Sequence, residues 1–283
     1  MHVAVIMLLV ALGSVLFHLF SPWWSTPIAS NWKYIDDTIS ITFWITGFAF
    51  VAVIGFMAYC IYKFSNRPGI VADYEPENHR LEWALTIVTT LAVAAMLAPG
   101  LAVWSQYVNV PEGASKVEVM GSQWQWAYRY PGKDGKLGIT GIKYINGDNP
   151  FGIYPNDPNG EDDVVIEGDD LHLPMNKPVK FLLRSIDVLH DFYVPQFRAK
   201  MDMVPGMVTY FWITPIRTGE FDALCAELCG VGHHAMRGKV VVDEQAAYDK
   251  WMSEQQTFKQ SQAAIERRKN SDFAAKKGAS KLE

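Results

Sequence analysis

The chain has 283 residues, of which 49% are hydrophobic and only 19% charged, and its net charge is −5. This length allows two domains. The apolar excess argues against a wholly soluble protein, and the negative balance argues against nucleic acid as a partner.

Residues 3–20 form an apolar run of 18. No basic segment precedes it, and the small-residue cleavage signal at Pro27–Ser30 is weak. The run is therefore expected to stay as a helix rather than to leave as a signal. His18 inside it reads as a packed or interfacial histidine. Residues 21–37 carry Trp23, Trp24, Trp32 and Tyr34, the composition of an aromatic belt at a membrane interface. Residues 38–64 hold no charge before Lys63, and residues 83–107 form a second long apolar stretch. Each is long enough to span a bilayer. Pro99-Gly100 predicts a kink that neighbouring helices tolerate.

Lys63, Arg67 and Arg80 flank or occupy the connection at 65–82, whereas the other short connection has only Lys33. The positive-inside rule then puts 65–82 in the cytoplasm and everything after 108 outside. Glu82 stands at the cytoplasmic start of the last span. A carboxylate there is ordinarily an interfacial anchor or a partner of the helix dipole, and acids near a membrane also mark proton paths.

From residue 110 the pattern changes. Val117, Val119 and Met120 open a strand-like run, and Gln123–Tyr130 alternates polar and aromatic residues with period 2. Residues 131–160 are rich in turn residues. Strand-like segments follow at Val164–Ile166, Val179–Arg184, Val208–Thr214, Glu220–Leu224 and Lys239–Val242. Short strands separated by Gly, Pro, Asn and Asp predict an antiparallel β-sandwich. Residues 246–283 read as a polar, helix-prone, exposed tail. The expected division is 1–37 (apolar helix and connection), 38–109 (helical hairpin), 110–245 (β domain) and 246–283 (tail).

The chemistry concentrates in Cys225–Met236. This stretch offers two thiols, two imidazoles and a thioether. Soft sulfur and imidazole select copper, zinc or iron over magnesium and calcium. A zinc ribbon would show C-x2-C pairs, and thioether is a poor zinc ligand. A disulfide between Cys225 and Cys229 would leave the histidines and Met236 unexplained. Cys60, the third cysteine, lies alone in an apolar run. Gly230 and Gly232 allow the loop to fold back on itself. A further imidazole is available upstream at His190, within Val188–Pro195. Spacing alone admits either His233 or His234.

The segments D-V-L-H-D-F-Y-V-P and C-A-E-L-C-G-x-x-H-x-x-M resemble subunit II of haem–copper cytochrome c oxidases. The resemblance covers roughly residues 38–245 and implies a membrane-anchored, cupredoxin-like Greek-key β-sandwich. It implies a binuclear copper centre of the CuA type, with bridging thiolates from Cys225 and Cys229. His190 and His233 would supply the imidazoles, Met236 the thioether and Glu227 a backbone carbonyl. In the family, the glutamate matching Glu227 also serves a magnesium site shared with the catalytic subunit. The first tryptophan of an aromatic strand, here Trp124, receives electrons from cytochrome c.

Asp187 matches an acidic residue near the donor's docking face. The run Glu161, Asp162, Asp163, Glu167, Asp169 and Asp170 would extend that face and steer a basic donor. Glu82 matches a residue at the mouth of a proton channel of the catalytic subunit. The proline the family often places shortly afterwards is absent, with Thr89 and Thr90 instead. The family usually shows two spans, so the run at 3–20 is a departure.

The implied protein is the electron-transfer subunit of a terminal respiratory oxidase in a bacterial inner membrane, with its copper domain in the periplasm. Its partners would be a haem–copper subunit I, other oxidase subunits and a c-type cytochrome. A CuA-bearing subunit of a haem–copper nitric oxide reductase is the alternative. A quinol oxidase subunit would lack Cys225, Cys229 and Met236.

Overall fold

The computed structural model describes residues 2–21, 29, 33–66, 68–71, 74 and 76–279, without the side chains of 273–279. Trp23, Trp24 and Trp32 of the expected belt, Pro27, Ile28 and Ser30 of the cleavage signal, and Arg67 lie outside the described residues. The chain divides into two compact units, Met1–Thr26 with Lys33–Gln106 and Pro27–Trp32 with Tyr107–Glu283.

The first unit is helical: α1 (His2–Phe20), α2 (Lys33–Lys63) and α3 (His79–Val108). All three are long and apolar enough to cross a membrane. Their large side chains, such as Phe17, Trp44, Phe48 and Trp83, are exposed rather than packed inside the chain, as lipid-facing or partner-facing surface requires. α1 packs on α2, and its buried positions are the small residues Ala4 and Ala11. Small side chains let two helix backbones approach in a medium where apolar burial gives no drive. α3 continues through Pro99.

Among the described residues the second unit has ten strands: β1 (Ser115–Ser122), β2 (Gln125–Tyr130), β3 (Val164–Glu167), β4 (Leu171–Pro174), β5 (Val179–Ser185), β6 (His190–Val194), β7 (Ala199–Met203), β8 (Thr209–Ile213), β9 (Gly219–Cys225) and β10 (Arg237–Asp243). They form two five-stranded sheets, β3-β2-β1-β5-β8 and β4-β10-β9-β6-β7. The alternation of burial along β5 (Val179, Phe181, Leu183 and Ser185 in) is what a strand with one face on the core produces. Phe181 stacks on Phe211 at 4.7 Å, and Trp126 meets Phe192 edge-on at 5.4 Å, so aromatics fill the interior.

This is the cupredoxin-like sandwich that the resemblance implies, with one correction. It is not wholly antiparallel: β1 pairs with β5, and β10 with β4, in parallel. The chain crosses repeatedly between sheets, and such long connections permit parallel neighbours that hairpins forbid.

The turn-rich stretch 131–163 is tied down by a buried ion cluster. Arg129 donates to Glu118 at 2.8 Å, to Asp163 at 2.5 Å and to the Gly138 carbonyl. Arg184 reaches the other oxygen of Glu118 at 2.8 Å. Two helices follow the sandwich, α4 (Gln245–Glu254) and α5 (Phe258–Ala279). The polar tail is not simply exposed: Phe258 joins Met120, Ala127, Phe151 and Ile153 in a buried cluster. Lys259 pairs with Glu161, and Lys269 with Asp148, both at 2.6 Å.

Candidate metal centre

Three loops meet at one end of the sandwich. The β1–β2 turn binds the β5–β6 loop, because the Gln123 N–H donates to Asp187 at 2.7 Å and the Ile186 N–H donates to the Gly121 carbonyl at 3.1 Å. Gln123 Nε2 also donates to the Cys229 carbonyl at 2.8 Å, which fixes the β9–β10 loop. That third loop joins two hydrogen-bonded strands, so its two stems are neighbours. Cys225 ends β9, Met236 precedes β10, and the Cys225 N–H donates to the Met236 carbonyl at 3.2 Å. The loop then tightens through turns at Gly230–His233 and His233–Met236. Gly230 takes φ +120°, a conformation that disfavours any side chain.

β6 lies beside β9, with Phe192 opposite Cys225. This pairing carries His190, fully buried, to the sulfur pair. His190 Nδ1 is 3.8 Å from Cys225 Sγ, and the two sulfurs are 3.7 Å apart. His233 Nδ1 is 3.6 Å from Cys229 Sγ, Met236 Sδ is 3.8 Å from it, and the Glu227 carbonyl is 3.2 Å from Cys225 Sγ. The thiols are free, far beyond the roughly 2.0 Å of a disulfide. Sulfur and nitrogen at these separations suit a shared metal, since bonds of about 2.0–2.3 Å at open angles span about 3.5–3.8 Å. One imidazole approaches each sulfur, and the ligand atoms of His190, Cys225 and Cys229 all lie within 4.8 Å of one another, close enough to share an ion. Burial, then the neighbouring Cys225 thiol, pushes the Cys229 thiol up to about 11. A cation between the sulfurs would reverse that by taking the place of the protons.

The histidine is oriented from behind. His190 Nε2 donates to Asp187 Oδ1 at 2.9 Å, leaving the Nδ1 lone pair for the metal. Gly121 lies against the ring, where a side-chain carbon would come within 3.1 Å of it, and Trp126 approaches edge-on at 6.4 Å. Partial burial alone would raise Asp187. Hydrogen bonds from His190, Gln123 and Val188 outweigh that and hold its carboxyl below the usual range. Asp191, next to His190, is buried opposite Asp202 of β7. Burial first, then Asp202, pushes Asp191 up to about 7.

The structure thus brings together His190, Cys225, the Glu227 carbonyl, Cys229, His233 and Met236. Trp124 belongs to the same end: its Nε1 is 3.3 Å from the Cys229 carbonyl, and its ring lies against Gly230 and Gly232. His234 is exposed. Asp187 turns its oxygens inward, onto His190 and the Gln123–Trp124 turn.

Glu82 lies in the helical unit, in the first turn of α3, 3.3 Å from His79. Magnesium at Glu227 has no support from this chain: among the described residues, the group with metal-holding geometry is His190, Cys225 and Cys229. The expected acidic face is also broken up. Asp163 is fully buried against Arg129, and Glu161 is paired with Lys259. Asp162 accepts from the Asp134 N–H at 3.2 Å, and Glu167, Asp169 and Asp170 remain, at the β3–β4 turn on an edge of the sheet. Gln123, Gly121 and Trp126 were missed from sequence; the glutamine and glycine flank the aromatic strand but carry no chemical signature of their own.

A family model described as cytochrome c oxidase subunit II, periplasmic domain, matches residues 115–245. The alternative cytochrome c oxidase subunit 2 of Bradyrhizobium diazoefficiens is 66% identical over 91% of this chain and 93% of its own length. The cytochrome c oxidase subunit 2 of Cereibacter sphaeroides is 30% identical over 81% of this chain and 78% of its own. Among solved structures, the periplasmic domain of subunit II of cytochrome oxidase from Bradyrhizobium japonicum is 26% identical. The match covers 51% of this chain and 95% of that one, with a TM-score of 0.39.

Proposed function

The chain belongs to the cytochrome c oxidase subunit II family, and we propose that it is the electron-accepting subunit of a haem–copper terminal oxidase. It takes electrons from a c-type cytochrome at a binuclear CuA centre and passes them to haem in the catalytic subunit, where oxygen is reduced to water. This chain carries the electron-accepting centre; the oxygen-reducing site belongs to the partner. The observation that carries the reading is the sulfur pair, 3.7 Å apart, with the His190 nitrogen 3.8 Å from one sulfur and the His233 nitrogen 3.6 Å from the other.

Cys225 and Cys229 would hold two copper ions between them, His190 and His233 would each serve one, and Met236 and the Glu227 carbonyl would fill the weak positions. Bound there, the copper pair supplies a one-electron centre whose charge change is shared by two ions. The protein's own part is rigidity. Asp187 and Gly121 hold His190, the β9–β10 hydrogen bonds hold both loop stems, and burial keeps water away. A site that barely moves between oxidation states exchanges electrons with little reorganisation. Trp124, in contact with the Cys229 carbonyl and the glycines of the loop, is the residue through which electrons would arrive. Glu82 would stand at a proton path of the catalytic subunit. The excess of Lys and Arg at 63–80 supports placing the β domain on the periplasmic side of a bacterial inner membrane.

Purification of the intact complex tests this reading. Two coppers per chain, a mixed-valence copper signal and oxygen consumption with a reduced c-type cytochrome are expected. A complex holding zinc at this site, or one that consumes nitric oxide and not oxygen, would refute it.

A further inference from the structure

Gln123 joins the three loops at the copper end of the sandwich. Its backbone N–H donates to one oxygen of Asp187 at 2.7 Å, and the other oxygen of that carboxylate accepts from His190 Nε2 at 2.9 Å. Its side-chain Nε2 donates to the Cys229 carbonyl at 2.8 Å. The next residue, Trp124, aims its indole N–H at the same carbonyl, at 3.3 Å. Gly230 makes this convergence possible. A side-chain carbon there would come within 3.0 Å of Gln123 Nε2 and 3.2 Å of the Trp124 ring.

The two bonds to this carbonyl are unequal. A carbonyl oxygen has two lone pairs and accepts both, but N–H···O bonds centre on about 2.9–3.0 Å and weaken beyond about 3.2 Å. The amide bond of Gln123 is of ordinary length, and the indole contact is long. Trp124 is also 39% exposed, so water competes for its N–H. The short bond therefore fixes the acceptor, and the weaker indole contact depends on where that acceptor stands.

We propose that Gln123 is a positioning residue for electron transfer: its side-chain amide holds the Cys229 carbonyl where the Trp124 indole N–H meets it, and so sets the rate between Trp124 and the copper centre. One electron leaves the reduced donor, crosses the indole and this carbonyl, and reduces the centre by one; no bond or proton is exchanged. Tunnelling falls steeply with the width of a gap, so a carbonyl that drifts from the indole slows the step without touching the metal. The inference rests on the reading that electrons enter at Trp124 and reach copper held by Cys229.

The test uses the purified oxidase complex with a reduced soluble c-type cytochrome as probe. Gln123→Met keeps the length of the side chain and removes the donor; Gln123→Asn keeps an amide and shortens its reach by one carbon. Each should slow reduction of the copper centre about three- to tenfold, the range that loss of one hydrogen bond allows. KM, copper content and reduction potential should be retained. In a Trp124→Phe background either substitution should add nothing, because Gln123 acts through the indole. In the metal-free full chain, the Trp124 part of the tryptophan emission is taken by difference from the matching Trp124→Phe chain. It should move to longer wavelength in Gln123→Met, as the indole N–H turns from the carbonyl to water. The proposal is overturned if both Gln123 variants keep the full rate while Trp124→Phe alone is slow, or if they slow the step equally with and without Trp124. It is also overturned if KM rises at an unchanged rate, since Gln123 would then be a donor contact, or if both variants lose copper, since it would then hold the metal. A full rate in Trp124→Phe alone would remove the entry reading itself, and this proposal with it.

Discussion

Asp187 accepts the Nε2–H of His190 at 2.9 Å, and this single contact decides which imidazole nitrogen faces the sulfur of Cys225. A metal-ligating histidine is held in tautomer and orientation by such a partner, and losing one typically lowers metal affinity about 10–100-fold. Asp187→Ala should therefore weaken copper retention within that range while leaving the fold intact. Titration of the full chain against a competing chelator measures it. Unchanged retention would return Asp187 to a surface role.

The two thiolates and the thioether should behave differently. Cys225→Ser or Cys229→Ser should abolish the mixed-valence signal, since a hydroxyl does not replace a bridging thiolate. Met236→Leu should keep both coppers and shift the reduction potential, because an axial thioether tunes more than it binds. Electron paramagnetic resonance and redox titration separate the cases. Loss of copper in Met236→Leu would make the thioether a structural ligand.

His233 and His234 are adjacent, but only His233 turns its Nδ1 to Cys229, at 3.6 Å, while His234 is exposed. His233→Ala should cost one copper or the whole centre. His234→Ala should leave copper content and spectrum unchanged. The opposite pattern, read by metal analysis, would reverse the ligand assignment.

Gly232 lies flat against the Trp124 ring, and a side-chain carbon there would overlap it. Gly232→Ala should displace the indole and slow reduction by the donor, with copper content preserved. Trp124→Phe should slow the same step with little change in KM, because it alters the path and leaves the surrounding contact. Stopped-flow reduction of the complex reads both. Full rates in both variants would mean that electrons arrive elsewhere.

Arg129 is buried between Glu118 and Asp163. Arg129→Met should cost about 3–5 kcal/mol, because it strands buried carboxylates. Replacing Asp163 by Asn in the same chain should recover part of the loss. Thermal unfolding of the detergent-solubilised chain gives both numbers. A near-wild-type Arg129→Met variant would show that the cluster contributes little.

Much of this protein is written in local sequence. Apolar runs long enough to cross a bilayer become α1, α2 and α3 because a lipid medium leaves the backbone no other way to satisfy its hydrogen bonds. The period-2 alternation at Gln125–Tyr130 becomes β2 because successive side chains of a strand face opposite ways. The ligand types of the Cys225–Met236 loop are local too, since one short hairpin loop carries five of the six groups.

Distance in sequence marks where that legibility ends. His190 reaches the sulfurs because β6 pairs with β9, and the parallel pairs β1–β5 and β4–β10 depend on which strands cross between sheets. Neither follows from a residue's neighbours, since strand pairing is settled by burial of whole faces. Charge was the least readable property. Asp163 and Asp187 look like solvated acids in the sequence. Only packing brings Arg129 to the one and His190 to the other.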